Sequence, residues 1–365
     1  MGIGQRVAKA RAEQGVTQEQ LAAAVGLDRS ALAKIETGTR RLSALELVAI
    51  ACELQRRVEW FVDEAPPALV SYRRAHPDVA TQAIDIRLDE LVREAEFVVS
   101  CVQGLVSGQP GPLPPPATAA EAEEMADTAR RMLGLTPAEP AHNIAGLASN
   151  LGLLVFSLDL GEGADAGTVL LERGGVTLVN GSRMVGRRRL AAAHELGHYL
   201  IADEYALDWR IASADADGLE ARLDRFARAL LLPETDLRAR WARWLEAPDE
   251  SWRDAAVRAA SHYRVDMATL ARRLKELHLA EHSRAEDIRQ VQTRRADIVE
   301  KDLVVSDELA PVSLPRAYEQ AVLTLYRKEA VTEGRALGLL LGTFDSASLP
   351  ELPPVPASGI WAVMS

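Results

Sequence analysis

The strongest constraint in this chain is a pentapeptide, His194-Glu195-Leu196-Gly197-His198, set inside an apolar stretch. Leu190, Ala191, Ala193, Leu196, Leu200 and Ile201 around it predict a buried helix, on which positions i and i+4 share a face. Two imidazoles and a carboxylate inside a core are costly unless something satisfies them. One solution is a pair of core histidines with ordinary hydrogen bonds; the other is a shared metal ion. Zinc accepts imidazole and carboxylate ligands and keeps a fourth position for water, so His194 and His198 are read as ligands. Glu195 is read as the catalytic residue, taking a proton from that water and passing it to a leaving amine. Manganese and cobalt also accept nitrogen and oxygen ligands.

A third ligand is needed downstream. From Asp215 to Pro233, Leu219, Leu223, Phe226, Ala227, Leu230 and Leu231 form a helical apolar stripe, with Glu220 and Asp224 four apart on one face. Glu220 is the candidate ligand, with Asp217 as its nearest competitor. Asp224 is the candidate acceptor of a hydrogen bond from a ligand imidazole, an arrangement that orients the ring. Tyr199, Tyr205, His262 and Tyr263 are all available as oxyanion stabilisers, and spacing chooses none of them.

The sequence HELGHYL, followed by E-x-x-x-D-x-F-A-x-x-L-L-x-P ending at Pro233, resembles the ImmA/IrrE family of zinc peptidases. The likeness covers about Thr118 to Leu237. It implies one Zn2+ per chain, ligands His194, His198 and Glu220, and Glu195 as base. It also implies a protein substrate, since members cleave XRE-type repressors in response to stress or signals. Members often carry further acids or an Asn where this chain has Arg222 and Asp224.

The N-terminal region has a second pattern. Leu21, Ala22, Val25, Leu27, Leu32 and Ile35 fit two short helices packed through one apolar face, with Gly26 at the turn. Thr17 and Asp28 stand at N-cap positions, and Gln20 completes a capping box with Thr17. The stretch TQEQLAAAVGLDRSALAKIETG, Thr17 to Gly38, resembles the XRE family of helix-turn-helix DNA-binding domains, a likeness running from about Gly4 to Leu54. It implies that Asp28 to Glu36 enters the major groove. Arg29, Ser30 and Lys34 are then the candidate base readers, and Gln18, Arg40 and Arg41 the candidate phosphate contacts. A double-stranded DNA operator is the implied partner, and reading two half-sites implies a homodimer.

The charge fits this division. The whole chain carries −11, yet residues 1–62 hold nine Lys or Arg against seven acids, a local +2. No apolar run approaches a bilayer span and the start lacks a secretory core, so the expected location is the cytoplasm, with no membrane partner. Cys52 and Cys101 are isolated and read as packing thiols.

Proline clusters at 66–67, 110–116 and 350–356 mark boundaries. The expected organisation is multidomain. An all-α helix-turn-helix domain (1–62) precedes a helical linker with a Pro-rich end (63–117). An α+β zincin-like metallopeptidase domain (118–245), a helical C-terminal region (246–349) and a Pro-rich tail (350–365) follow. In the linker, Ile84, Leu88, Leu91, Val92, Ala95, Val98 and Val99 predict one amphipathic helix, either a dimer seam or a helix packed on a neighbour. In the peptidase region, 152–160, 167–172 and 176–179 predict short strands. Pro315 to Gly342 resembles the helical tail that often follows ImmA/IrrE domains and is expected to pack.

The expected function is a DNA-binding transcription regulator with a zinc endopeptidase centre that cleaves an XRE-type repressor or itself, residues 63–117 being the place to cut. A non-catalytic factor using the fold as a metal or ligand sensor is one alternative; a toxin-antitoxin or anti-phage component is another.

Overall fold

The computed structural model describes residues 2–54, 58–62, 69–73, 80–106, 110–161, 165–202, 216–247 and 251–352, with backbone alone for 13, 59, 60, 69–73, 80–83, 85, 86, 216 and 217. The chain divides into two compact units, Met1–Ala68 and Leu69–Ser365. The architecture is the expected multidomain one. No described helix is long and apolar enough to cross a membrane.

The first unit is all helix: α1 (Ile3–Glu13), α2 (Gln18–Ala24), α3 (Arg29–Glu36), α4 (Ala44–Glu53) and α5 (Val58–Val62). Thr17 starts α2 with the predicted capping box, its hydroxyl accepting from the Gln20 N–H while the Gln20 side chain accepts from the Thr17 N–H. Asp28 occupies the N-cap of α3 without a side-chain capping bond. Gly26 turns the chain with φ +69°, a conformation that costs a residue with a Cβ. Val7, Leu21, Leu32, Ile50 and Phe61 close the core. A Cβ on Gly4 would stand 1.9 Å from the Ile35 carbonyl oxygen, so only glycine lets α1 approach α3 this closely.

The second unit begins with a strand that the sequence does not announce, β1 (Leu69–Arg73), followed by α6 (Ala80–Cys101), α7 (Ala119–Met132) and α8 (Ile144–Ser149). Then come β2 (Leu153–Leu158), β3 (Ala166–Leu170), β4 (Gly175–Asn180), α9 (Val185–Leu200) and α10 (Ala216–Leu231). After these come α11 (Glu234–Leu245), α12 (Trp252–Tyr263), α13 (Met267–Glu276), α14 (His282–Arg289), α15 (Arg295–Glu300), α16 (Arg316–Arg327) and α17 (Glu333–Leu339).

The sheet order is β1-β3-β4-β2; β3 is antiparallel to β1 and β4, and β2 is parallel to β4. Both faces are covered, which is why its inner strands read as continuous apolar runs. On one face Leu153, Val155, Ala166 and Val179 join the core that contains α9 and α10. On the other, α6 lies against β3 and β4, and Phe156 meets Tyr318 of α16 edge-on at 5.0 Å.

The expected linker is therefore corrected. Burial of Ile84, Leu88, Leu91, Val92, Ala95 and Val98 makes α6 a layer of the second unit, a helix packed on a neighbour. Arg335 of the C-terminal helices pairs with Glu94 at 2.7 Å and lies over the Phe97 ring. The boundary expected after residue 245 also dissolves, because Ala255, Val265, Leu274, Ile288 and Leu309 belong to the same core as α9. Cys52 and Cys101 are both exposed, contrary to the packing reading, since each falls on the outer face of its helix. Most of the Pro-rich tail lies outside the described residues.

Candidate metal centre

α9 is anchored before it reaches its histidines. Arg189, fully buried, donates to the Ala141 carbonyl at 2.6 Å and pairs with Glu308, while Arg188 donates to the Gly181 carbonyl at 3.1 Å. One turn on, every residue from Leu190 to Leu200 is buried. Gly197 is the contact that admits α10: a Cβ there would stand 3.0 Å from Phe226 Cδ1 and 3.1 Å from Leu223 Cδ2. The close approach carries Glu220 over the histidines.

His194 Nε2 lies 3.1 Å from His198 Nε2 and 3.0 Å from Glu220 Oε2, and His198 Nε2 lies 3.2 Å from Glu220 Oε1. Among the described residues these three form the group able to hold a metal ion. The donor set fits one. Ligands about 2.0–2.1 Å from a tetrahedral ion stand about 3.3 Å apart, close to the spacing here. On the far side of its ring, His194 Nδ1 is 3.0 Å from Asp224 Oδ1, so Nδ1–H donates there and leaves the Nε2 lone pair facing the centre. Glu220 is half-buried, with one carboxylate oxygen facing each Nε2.

Glu195 is fully buried, with the two histidine rings and the Thr168 hydroxyl as polar neighbours. Burial pushes its pKa up, against the pull of His198, His194 and the neighbouring Thr168 hydroxyl. A buried carboxylate held in this way needs a proton or an outside donor such as water. Thr168 in turn shares a hydrogen bond of 2.7 Å with Thr177 on the adjacent strand.

Two chain segments match known family models: residues 7–61 match a helix-turn-helix model and residues 148–275 match the IrrE N-terminal-like domain. This chain joins an XRE-type helix-turn-helix domain to an IrrE-like metallopeptidase-family domain. No match was found among curated proteins or solved structures. The IrrE-like match runs past the expected end at Leu237 through α12 and nearly all of α13, in keeping with their shared core.

Within the IrrE-like domain the proposed oxyanion groups fare unevenly. The Tyr199 hydroxyl donates to the Leu151 carbonyl at 2.7 Å and that of Tyr263 to Asp236 at 2.7 Å, so both are committed elsewhere. His262 packs beside Trp244 and Tyr263. Tyr205, and the side chain of Asp217, lie outside the described residues. In the helix-turn-helix domain Arg29, Ser30, Lys34 and Arg41 are exposed. Gln18 and Arg40 are half-buried and engaged: Gln18 Nε2 donates to Glu36 at 2.7 Å, and Arg40 pairs with Glu46 at 2.7 Å. The exposed four keep their side chains available to a nucleic acid, whereas these two must first exchange an internal partner.

Proposed function

We propose that this protein is a DNA-binding transcription regulator whose IrrE-like domain is a zinc-dependent endopeptidase acting in the cytoplasm on a repressor-type protein or on its own chain, in response to stress or another signal. The observation that carries the reading is the convergence of His194 Nε2, His198 Nε2 and a Glu220 carboxylate beside a buried Glu195. His194, His198 and Glu220 would hold the ion, which when bound supplies a Lewis acid that acidifies water and polarises a carbonyl. Glu195 accepts the proton of the attacking water and returns it to the leaving amine as the peptide bond breaks. Asp224 keeps the His194 ring in the tautomer whose Nε2 is free to ligate. Arg29, Ser30 and Lys34 read base edges, Arg41 contacts phosphate, and Gln18 and Arg40 join it on exchange of their internal partners; the operator is bound as a homodimer.

The test is metal content by mass spectrometry on protein purified without added metal. About one zinc per chain, absent from His194→Ala and Glu220→Ala, supports the centre. A wild-type protein that carries no metal and takes up none on titration overturns the peptidase reading. In that event the sensor reading takes its place, favoured by the commitment of Tyr199 and Tyr263 to other acceptors.

A further inference from the structure

The sheet face that packs on α9 is largely apolar. Leu153 and Val155 of β2, Ala166 and Leu170 of β3 and Val179 of β4 pack into or against the core that contains α9. Strand alternation puts two threonines on the same face: Thr168, between Ala166 and Leu170, and Thr177, two residues before Val179. Both are buried, and they stand directly opposite each other in the antiparallel β3–β4 ladder with their hydroxyl oxygens 2.7 Å apart. Valine would fill the same space without burying a polar group, so the hydroxyls call for a partner.

Two periodicities bring Glu195 to this pair. A Cβ on Gly175, two residues before Thr177, would stand 3.0 Å from Tyr199 Cδ2, which sets the far end of α9 against the start of β4. The helix and the strand therefore run in opposite directions. One turn back along α9, about 6 Å, stands Glu195; two residues on along β4, about 7 Å, stands Thr177. At this level the Glu195 carboxyl has the Thr168 hydroxyl as a hydrogen-bonding neighbour. A pair of hydroxyls carries two hydrogens and uses one between its own oxygens. The second is free to be donated outside the pair, and the carboxyl beside it is that of Glu195.

We propose that Thr168 is a positioning residue for Glu195: its hydroxyl accepts from Thr177 and donates to one carboxylate oxygen, leaving the other for the water held at His194, His198 and Glu220. No proton passes along the threonines; they fix the orientation from which the carboxylate takes one from water. The inference rests on the peptidase reading of Glu195 and adds what keeps that side chain in place on an apolar face. A cross-strand pair that merely joined β3 to β4 would leave Glu195 indifferent to its hydroxyls.

The experiment reads Glu195 directly, in the full chain without metal. Protein grown with glutamate labelled with carbon-13 at the side-chain carboxyl is compared by NMR, the Glu195 resonance being the one that Glu195→Gln removes. Thr168→Val, which keeps the branched shape and deletes the hydroxyl, should displace this resonance. Thr177→Val should displace it less, since Thr168 can still donate, and Thr168→Ser should return it to the wild-type position. Zinc affinity, from competition with a chelator, should be the same in all of these proteins because no ligand is altered.

A Glu195 resonance unmoved by Thr168→Val, in a protein whose α9 amides stay protected from hydrogen exchange, overturns the proposal. So does a Thr168→Ser protein that behaves like Thr168→Val, or a larger displacement from Thr177→Val than from Thr168→Val. Should Thr168→Val lose the α9 protection, Thr168→Ala takes its place, and its contrast with Thr168→Ser isolates the hydroxyl at small side-chain size. Wild-type protein that takes up no zinc, with these displacements intact, strikes the peptidase reading and leaves the threonine contact standing. Zinc bound with the resonance unmoved strikes the contact alone.

Discussion

Each unit buries a polar cluster on a helix, and the two differ in one respect. In the first unit Glu36 is the acceptor, and donors surround it: Arg11 Nε at 2.6 Å, Arg11 Nη2 at 3.1 Å and Gln18 Nε2 at 2.7 Å. In the second, His194, His198 and Glu220 turn acceptor atoms toward one another, and Glu195 lies fully buried beside them. The first cluster closes on itself; the second is a group able to hold a metal ion. A buried polar network that is complete locks a fold, whereas one left with converging acceptors is organised to bind.

Five substitutions can break or sharpen this contrast. The largest expected effect is that of Glu195→Gln, which keeps the ligands but removes the proton carrier. Hydrolysis of a protein substrate should fall by about 10²–10⁴-fold with zinc content unchanged, and an undiminished rate in a single-turnover assay would break the assignment. Asp224→Ala should lower metal affinity by about 10–100-fold in a competition titration with a chelator, while leaving the apo-protein's melting temperature nearly unchanged, because the His194 ring stays packed. If affinity is unaltered, the open cluster is not oriented through that carboxylate.

For the closed cluster, Glu36→Ala leaves the Arg11 guanidinium without its main partner and should destabilise the first unit by about 1–3 kcal/mol in urea unfolding. The second unit's metal content should not move, and a linked change would show that the two clusters are not independent. The smallest effect is expected from Arg41→Ala. It should weaken binding to all DNA sequences alike and reduce the slope of log K against log salt by about one, while Lys34→Ala costs about 1–3 kcal/mol at the operator only. A sequence-selective effect of Arg41→Ala would exchange their roles.

The histidine pair was legible because a helix is a local object: four residues of spacing suffice to put two rings on one face. Glu220 and Asp224 were legible for the same reason, as a second i, i+4 pair on an amphipathic helix, although their arrival beside the histidines was not. The capping box at Thr17 and the turn at Gly26 were equally local. Two other residues carried signals that spacing does not weigh. Gly4 and Gly197 look like ordinary helix glycines, yet each marks a helix–helix contact that a Cβ would obstruct. Arg189 and its partner Glu308 are 119 positions apart, and no pattern in either neighbourhood pairs them.

By itself, then, the sequence determined which helices form, which of their faces are apolar, and which side chains sit four apart on a face, since these follow from backbone periodicity and capping. Tertiary structure decided what those faces meet. It brought α10 onto α9 at Gly197, turned an expected linker helix into a layer over the sheet, and laid residues 69–73 along β3. Strand pairing and helix docking depend on partners far apart in the chain, whose chain-closure cost is offset only when the whole core assembles.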